Sequence, residues 1–274
     1  MFGLRNKVIL VVGGRGHLGR DFCYHLNKQQ GTVISADLKQ MSTTASKAEN
    51  KKSQSNIIQV NIDVTNKNSV SRTIEKIIKK FKKIDVLVFS VTSKPHDFYL
   101  PYTECSLKGW QSGIRAELDG VFLVTQKVGK LMEQQKKGSI ILLSSMYGVV
   151  GNDQRIYEDS NLDNLYVSKK NTNKKRKIYS HSAYPAVKGG IISLTRYLAA
   201  YWGNKNIRVN CISPGGVEHE GENNKFVKKY SKKVPLGRKS KLEEISPAVV
   251  YLASDESSYV TGQNIIIDGG WTAW

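Results

Sequence analysis

The sequence predicts an α/β fold in which helices cover both faces of a single, doubly wound parallel sheet of about seven strands. Short runs of β-branched residues alternate with longer stretches whose apolar residues recur at spacings of three and four. The short runs are apolar almost without interruption, which is typical of parallel strands buried on both faces. Regular alternation of strand and helix favours right-handed crossovers, so we expect one domain over residues 1–274.

Strands and helices are predicted in order along the chain. The predicted strands are Val8–Val12, Thr32–Ala36, Ile57–Val60, Ile84–Phe89, Ser139–Leu143, Ile207–Ile212 and Asn264–Ile267. The predicted helical stretches are residues 17–29, 67–82, 106–135, 183–202 and 243–254.

Two segments interrupt this alternation. Residues 39–55 are polar and predict a loose surface loop. Residues 151–181 form an insertion that contains the basic run Lys169–Lys177 and is longer than a routine connection requires. Insertions of this kind are usually functional lids or disordered segments, and both interpretations stay open for this one.

The composition is strongly basic, with 42 Lys and Arg against 23 Asp and Glu and a formal net charge of +19. Such a charge would suit a nucleic acid, but the lysines are spread along the chain. No helix-turn-helix, zinc-finger or RNA-recognition motif accompanies them. We therefore predict no nucleic-acid partner, while a basic pocket for an anionic small molecule remains open.

The sequence also lacks the patterns of an exported, membrane-bound or metal-binding protein. Apolar runs such as Val8–Val12 are far shorter than the roughly 18 to 20 residues that cross a bilayer. The N-terminal residues lead into the first strand without a signal-peptide pattern. Cys23, Cys105 and Cys211 are scattered and odd in number, which predicts neither a disulfide framework nor a metal cluster. We expect a cytoplasmic protein with no metal and no membrane partner.

A glycine-rich turn joins the first strand to the first helix. Gly13–Gly19 has the spacing Gly-x-x-Gly-x-x-Gly, which permits a tight turn and brings backbone N–H groups at a helix N-terminus against a pyrophosphate. Asp37 ends the second strand, where a carboxylate accepts hydrogen bonds from ribose hydroxyls and repels a 2′-phosphate. This pattern favours NAD. The guanidinium of Arg15 could pair with a 2′-phosphate, which keeps NADP open.

Asp63 and Val64 follow the third strand. The Asp63 carboxylate could bond the adenine amino group of a dinucleotide, or it could cap the helix that begins near Asn66. The two roles are compatible.

A serine and a Tyr-x-x-x-Lys pair are the candidate catalytic groups. Ser145 follows the fifth strand. Tyr184 and Lys188 are four residues apart, so they project from the same face of a helix, and the ammonium can act on the phenol. If Ser182 caps this helix, Pro185 falls in the first turn, where a missing N–H costs nothing.

In their order and spacing, these motifs resemble those of the short-chain dehydrogenase/reductase family, and the resemblance extends over nearly the whole chain. Further motifs of the shorter, single-domain branch are Ile207–Gly216, Pro235–Arg238, Tyr259–Gln263 and Asp268–Gly270. A narrower resemblance is to the flagellin modification protein A subgroup of bacterial surface-sugar biosynthesis. The segments that carry it are Ser144–Gly148, Ile156–Glu158, Leu194–Ala199 and Asp268–Trp274.

The resemblance implies a Rossmann fold and a role for each candidate residue. Tyr184 would be the general acid/base, Lys188 would hold the nicotinamide ribose and stabilise the phenolate, and Ser145 would bond the reacting oxygen. The implied cofactor-binding residues are Gly13, Arg15, Gly16, His17, Leu18, Gly19, Asp37, Asp63, Val64, Ser90, Val91, Tyr184, Lys188, Pro214, Gly215 and Val217. The implied substrate-binding residues are Ser145, Tyr184, Gly216 and His219.

Four features depart from the family pattern. Phe89–Thr92 replaces the usual Asn-Asn-Ala-Gly, so the floor beside the adenine ribose is built differently. Glu117 stands where the family has a catalytic asparagine, and His219 where it usually has a threonine that reaches the nicotinamide carboxamide. The insertion over residues 151–181 lies on the substrate side. Its basic run either clamps an anionic group of the substrate or forms a solvated flap.

Glu117 is the departure with the largest consequence. In the family, the asparagine helps to hold a water that connects the lysine to solvent. A carboxylate offers acceptors but no amide donor, although it can exchange protons. Three interpretations stay open: Glu117 completes a modified relay with Lys188, the enzyme is impaired, or Glu117 is a helix-surface residue.

The resemblance implies an NAD(P)-dependent oxidoreductase that acts on an alcohol or carbonyl of a carbohydrate or sugar-derived substrate, with an anionic sugar derivative as one candidate. One alternative is a sugar-nucleotide epimerase or dehydratase, although the chain has no second substrate domain. Another is a nucleotide-binding scaffold or regulator whose relay has decayed. Family analogy implies a homodimer or homotetramer formed through the Tyr184 helix and the helix before the fifth strand, with Trp271 and Trp274 near a subunit contact.

Overall fold

Every strand of the central sheet runs parallel to its neighbours. The computed structural model describes residues 2–38, 56–95, 97–158, 160 and 178–274. The predicted loop over residues 39–55 and the basic run Lys169–Lys177 lie outside these ranges. The sheet has seven strands in the order β3-β2-β1-β4-β5-β6-β7. They are β1 (Val8–Val12), β2 (Thr32–Asp37), β3 (Ile58–Asn61), β4 (Val86–Phe89), β5 (Gly138–Leu143), β6 (Ile207–Pro214) and β7 (Asn264–Ile267).

The strand order reverses beside β1, and this reversal determines where a ligand can bind. β1 pairs with β2 on one side and with β4 on the other, with Val11 opposite both Ser35 and Val88. The connections that follow β1 and β4 therefore leave on opposite faces of the sheet. A crevice opens between them at the carboxyl ends of the strands, which is the usual ligand site of doubly wound sheets.

Helices cover both faces of the sheet, as the alternating pattern predicts. The helices of eight or more residues in the described ranges are α1 (His17–Lys28), α2 (Lys67–Phe81), α3 (Leu107–Ile114), α4 (Gly120–Gln135), α5 (Ala183–Trp202), α6 (Asn224–Ser231) and α7 (Ser246–Ala253). Side chains of α2, α4 and α5, such as Val70, Val121 and Val187, pack on one face. Phe22 of α1 and Val249 of α7 pack on the other.

Two helical regions differ from the prediction. The helix predicted over residues 106–135 is interrupted by one π-helical turn, Arg115–Asp119, between α3 and α4. Wide turns of this kind are frequent at functional sites. The helix α6 was not predicted, because its sequence is rich in lysine and only Phe226 and Tyr230 of its residues are buried.

A third cluster of buried side chains lies outside the two faces of the sheet and is largely aromatic. It includes Tyr147, Tyr157, Phe226, Tyr230 and Trp271. The Trp271 ring stacks on Tyr230 with centroids 4.7 Å apart. Trp271 is thus buried within its own chain, and of the two tryptophans that were expected near a subunit contact only Trp274 is exposed.

Among the described residues, none of the helices combines the length and the apolar character that a bilayer crossing requires.

The central strands should carry much of the free energy of unfolding. Leu87 of β4 is fully buried, whereas Leu107 at the start of α3 is 69% exposed. Because a buried leucine loses both transfer free energy and packing, Leu87→Ala should lower the free energy of unfolding by about 2–5 kcal/mol. Leu107→Ala should change it by less than about 0.5 kcal/mol. Urea denaturation checks both values, and equal midpoints for the two variants would contradict this assignment of the core.

Candidate active site

A cavity of about 590 Å³ opens at the carboxyl ends of the strands. It lies where the reversal of strand order predicts a ligand site. Of the residues predicted to bind cofactor or substrate, the cavity brings together Gly16, His17, Leu18, Ser90, Ser145, Tyr184, Lys188, Pro214, Gly215, Gly216, Val217 and His219. It is not lined by Gly13, Arg15, Gly19, Asp37, Asp63, Val64, Val91 or Glu117.

Two positions of the glycine turn, Gly13 and Gly19, are packed so tightly that neither could carry a side chain. A Cβ on Gly13, which has a φ of +83°, would lie 2.6 Å from the carbonyl oxygen of Ser90, and one on Gly19 would lie 2.0 Å from the carbonyl oxygen of Gly13. Gly16 precedes α1 and gives it no side-chain cap. The first N–H groups of α1 therefore face the cavity without a capping side chain, which fits a pyrophosphate.

Asp37 and Arg15 lie together at the edge of the sheet beyond the glycine turn. The Asp37 carboxylate accepts hydrogen bonds from the backbone N–H groups of Arg15 at 2.9 Å and Leu38 at 2.8 Å. The Arg15 guanidinium donates to the carbonyl oxygens of Leu38 at 2.6 Å and Val60 at 3.3 Å. A carboxylate and a guanidinium are thus fixed side by side at the predicted place for an adenosine ribose.

The cap predicted for Asp63 is wrong. Asp63 Oδ1 accepts hydrogen bonds from the backbone N–H and the hydroxyl of Thr65. The cap of α2 is Asn66, whose side chain accepts from Asn68 and Ser69. An asparagine closer to the first helical turn is the better cap, because its oxygen reaches the free N–H groups directly. The contact of Asp63 with adenine stays a prediction.

Lys188 is buried against Glu117 and lies beside Tyr184. Lys188 Nζ is 2.8 Å from Glu117 Oε2, and each side chain is only 2% exposed. Nζ also donates a hydrogen bond to the carbonyl oxygen of Leu143 at 3.2 Å and lies 5.5 Å from the centroid of the Tyr184 ring. Burial lowers the pKa of Lys188, but Glu117 and Tyr184 raise it by more, so the pKa lies above its usual value. Lys188 is therefore a charged ammonium near neutral pH.

Each carboxylate oxygen of Glu117 faces a polar group. Its Oε1 accepts a hydrogen bond from the backbone N–H of Ser93 at 2.9 Å, while Oε2 faces Lys188. The π-helical turn Arg115–Asp119 carries it, and the residue is 1% exposed. The interpretation of Glu117 as a helix-surface residue is therefore wrong, since the interrupted helix turns this side chain into the protein.

The two serines after β5 have different roles. Ser144 donates a hydrogen bond from Oγ to the carbonyl oxygen of Lys188 at 2.8 Å and so ties β5 to α5. Ser145 lines the cavity, and its Oγ accepts a hydrogen bond from the Tyr147 N–H at 3.2 Å. Its hydroxyl hydrogen remains to be donated, which suits a contact with a reacting oxygen.

His17 and His219 close one side of the cavity. Their rings are 4.7 Å apart, and His17 Nε2 lies 2.9 Å from the carbonyl oxygen of Glu218. Burial lowers the pKa of His17, against an opposing effect of that carbonyl. His17 is thus neutral near pH 7 and joins the glycine turn to the loop after β6.

The sequence analysis missed the residues that form the outer wall of the cavity. Lys94, Glu222 and Lys239 supply charges there. Lys239 forms a buried ion pair with Glu222, and burial lowers the pKa of Lys94 to about 8. Aromatic residues complete this wall: Phe98, Tyr99, Tyr157, Phe226 and Tyr230. These positions have no common spacing in the sequence, because they come from several loops and from α6.

The start of α5 also differs from the prediction. Ser182 makes no capping hydrogen bond with its side chain. The neighbouring His181 does so instead: its Nδ1 accepts the backbone N–H of Ala183 at 3.0 Å. Ser182 has helical backbone angles, with φ −64° and ψ −29°, whereas a capping residue usually has extended ones.

Comparison with known proteins gives a consistent result. Residues 7–157 match the short chain dehydrogenase family, and residues 167–272 match the family described as enoyl-(acyl carrier protein) reductase. A 3-oxoacyl-(acyl-carrier-protein) reductase of Thermotoga maritima is 32% identical, with 97% of this chain and 98% of the relative covered. The post-translational flagellin modification protein A of Campylobacter coli is 30% identical, with coverage of 98% and 99%.

A third relative and one solved structure extend the comparison. The D-threitol dehydrogenase of Mycolicibacterium smegmatis is 29% identical, with 99% of this chain and 95% of the relative covered. The crystal structure of a short chain dehydrogenase from Leptospira borgpetersenii with bound NAD+ superposes with a TM-score of 0.83 at 29% identity, covering 98% of this chain and 94% of that one.

The buried ion pair predicts a large effect of Glu117 on stability. Glu117→Ala leaves a buried ammonium without its partner, so the free energy of unfolding should fall by about 3–5 kcal/mol. Glu75 is the control, because its pair with Lys127 lies at the surface, with side chains 66% and 38% exposed. Glu75→Ala should leave the denaturation midpoint nearly unchanged. Urea denaturation at pH 7 compares the variants, and a Glu117→Ala variant no less stable than Glu75→Ala would refute the pairing.

Proposed function

This chain belongs to the short-chain dehydrogenase/reductase family, and we propose that it oxidises or reduces a carbohydrate or sugar-derived substrate with Tyr184 as general acid/base. Its relatives are NAD(P)-dependent oxidoreductases that act on CH–OH groups, and this chain is such an oxidoreductase. The observation that carries the proposal is the charged, buried Lys188 beside Tyr184 in a cavity that also holds Ser145.

Tyr184 is the group that holds and moves the proton. During reduction, its hydroxyl gives a proton to the carbonyl oxygen of the substrate, and during oxidation, the phenolate takes one from the alcohol. The ammonium of Lys188, 5.5 Å from the ring centroid, stabilises the phenolate by its charge. Ser145 donates its hydroxyl hydrogen to the same substrate oxygen and fixes it for the reaction.

Glu117 stabilises this arrangement through its ion pair with Lys188. The carboxylate compensates the buried ammonium, so Lys188 stays charged although its side chain is only 2% exposed. We propose that Glu117 also replaces the family asparagine in the proton relay, because a carboxylate can accept and release a proton. The hydrogen bond from Ser93 to Oε1 leaves Oε2 directed at Lys188.

The residues of the glycine turn and the loop after β6 would hold the dinucleotide. The N-terminus of α1, which has no side-chain cap, suits the pyrophosphate, and Lys188, which lines the cavity, would bond the nicotinamide ribose. When bound, the nicotinamide supplies or accepts the hydride. Pro214, Gly215 and Val217 border the same side of the cavity and would contact that ring.

The cavity offers hydroxyl groups and an excess of lysine over acidic side chains, and these groups support a polyhydroxylated substrate. Hydroxyl groups project from Ser145, Tyr157, Ser180 and Tyr184, which suits a molecule that carries several hydroxyls. Among the charged side chains that line it, Lys94, Lys188 and Lys239 outnumber Glu222, which suits an acidic group on that molecule. The relative named for D-threitol supports a polyhydroxylated substrate, whereas the relative named for 3-oxoacyl-(acyl-carrier-protein) reduction represents the competing acyl substrate.

The expected assembly is a homodimer or homotetramer built on α4 and α5. Their outer faces expose large aromatic side chains: Phe122, Tyr197 and Tyr201 are each more than half exposed. The Tyr197 and Tyr201 rings stack with their centroids 6.1 Å apart. A second copy of the chain would cover this surface, as such exposed patches commonly indicate.

A substrate panel with one active-site variant tests the proposed activity. NADH or NADPH oxidation is followed with a keto-sugar acid, the matching neutral keto-sugar and an acetoacetyl thioester. We expect the keto-sugar acid to give the highest kcat/KM. Tyr184→Phe should lower kcat by roughly 10²–10⁴-fold, because it removes the proton donor while leaving the cavity intact. Turnover of the thioester alone would replace the proposal with 3-oxoacyl reduction, and an active Tyr184→Phe variant would exclude Tyr184 as the acid/base.

We expect a preference for NAD, set by Asp37 against the opposing charge of Arg15. The Asp37 carboxylate repels a 2′-phosphate, so Asp37→Ser should improve the affinity for NADPH relative to NADH by about tenfold or more, equivalent to about 1.4 kcal/mol. Arg15→Ala should have the opposite effect and weaken NADPH binding relative to the unaltered protein. Nicotinamide fluorescence titration measures each dissociation constant, and tighter binding of NADPH to the unaltered protein would reverse the proposed preference.

A further inference from the structure

We propose that Asp97 is a positioning residue, a single buried carboxylate that holds the N-termini of the two helices on which Glu117, Tyr184 and Lys188 depend. The inference rests on the proposed function in one respect, that these three side chains form the proton-transferring group. Asp97 is outside that group and outside the cavity lining, and it is 3% exposed.

The first contact of Asp97 is with the start of α3. Its Oδ2 accepts two hydrogen bonds from Ser106, one from the backbone N–H and one from the hydroxyl, each 2.7 Å long. The Ser106 Oγ in turn accepts the N–H of Gly109 at 3.0 Å and so caps α3. Because α3 leads directly into the π-helical turn, this cap fixes the beginning of the segment that presents Glu117.

The second contact is with the start of α5. Asp97 Oδ1 lies 3.6 Å from His181 Nε2. His181 Nδ1 accepts the N–H of Ala183, the first residue of α5. Since Nδ1 accepts, a neutral imidazole carries its hydrogen on Nε2, the nitrogen that faces Asp97. At 3.6 Å the two atoms make no hydrogen bond, so the carboxylate acts on the capping ring by its charge, and Tyr184 is the next residue after Ala183.

The packing around Asp97 leaves little room for adjustment. A Cβ on Gly109 would lie 1.9 Å from Asp97 Oδ1, so only glycine allows α3 to approach this carboxylate. The Phe98 ring lies parallel to His181, with centroids 6.0 Å apart, and meets the Tyr184 ring edge-on at 6.3 Å. A shift of His181 would thus be passed to Tyr184 through Phe98 as well as through the helix.

The charges at this pair favour an anionic Asp97 and a neutral His181. Burial raises the pKa of Asp97, but the hydrogen bonds from Ser106 lower it by more, so the pKa is below its usual value. Burial lowers the pKa of His181, and Asp97 opposes that effect. Among the described residues, Asp97 is the charged group that acts on His181, and Phe98 and Tyr184 supply rings.

Protonation of His181 would remove the acceptor that caps α5. Because the pKa of His181 is lowered in the folded protein, its contribution to stability is present above pH 6.5 and is lost as the pH falls below that value. The positioning role therefore predicts a decline of kcat on the acidic side of the pH profile, and this decline should depend on Asp97 and His181.

Asp97→Asn tests the proposal, with Asp85→Asn as the matched control. Asp85 also accepts a backbone N–H, that of Val8 at 2.7 Å, and pairs with Lys83, but it precedes β4 at the opposite end of the sheet.

For Asp97→Asn we expect kcat to fall by roughly tenfold or more, because a displaced acid/base loses much of its effect. The NADH affinity should stay within about threefold of that of the unaltered protein. The acidic decline of kcat should move to lower pH, because Asp97 raises the pKa of His181. Hydrogen exchange should accelerate at the starts of both α3 and α5. Asp85→Asn should change none of these.

Several results would overturn the proposal. Faster exchange at both helix starts with an unchanged kcat and pH profile would make Asp97 merely structural. Exchange that accelerates at neither or only one helix would refute the double cap, and an equal loss of kcat in Asp85→Asn would show that the effect is not specific. If the unaltered protein turns over no substrate, the proposed function fails, while the exchange measurement still decides whether Asp97 holds both helices.

A second pair of variants covers the case in which Asp97→Asn does not fold. His181→Asn keeps a side-chain oxygen that can accept the Ala183 N–H, whereas His181→Ala removes the cap. We expect His181→Asn to retain most of kcat and to lose the acidic decline, and His181→Ala to lose kcat by roughly tenfold. Equal kcat values in the two variants, or an acidic decline that persists in both, would contradict the positioning role.

Discussion

The ion pair between Lys188 and Glu117 is the interaction on which the rest of the site depends. An ammonium removed from water costs several kcal/mol unless a partner compensates its charge. Here the partner is a carboxylate 2.8 Å away, and both side chains are almost fully buried. With the partner in place, the charge of Lys188 is retained beside the Tyr184 ring, where it can act on the phenol without screening by bulk water.

Four chain segments meet at the carboxyl ends of the central strands to form this pair. They are the end of β5, the segment after β4, the π-helical turn that carries Glu117 and the helix α5 that carries Lys188. The end of β5 provides Leu143 and Ser144, which bond the side chain and backbone of Lys188. The segment after β4 provides the Ser93 N–H for Glu117 and, through Ser90, the floor beneath Gly13. One short segment thus contacts both the glycine turn and the Glu117 carboxylate.

The sequence predicted the elements whose physics is local. Alternating apolar runs predicted all seven strands of the sheet, and the glycine turn and the Tyr184 helix lie where the spacing predicts them. Prediction failed where the outcome depends on side chains that are distant in the sequence. The π-helical turn that buries Glu117 cannot be recognised from the apolar periodicity, and the cap of α5 comes from His181, which faces Asp97 from a distant part of the sequence. Lys94 and Lys239 likewise meet Glu222 only in the folded chain.

The charge state of Lys188 tests the role of the ion pair most directly. Nitrogen NMR of protein with ¹⁵N-labelled lysine side chains follows each ammonium as the pH rises, and Lys188→Met identifies the resonance. We expect Lys188 in the unaltered protein to titrate above its ordinary pKa of 10.5, because Glu117 and Tyr184 together outweigh burial. In Glu117→Gln, burial should dominate and the titration should move below 10.5. A titration of Lys188 below 10.5 in the unaltered protein, or the same titration in both proteins, would contradict the central role of the ion pair.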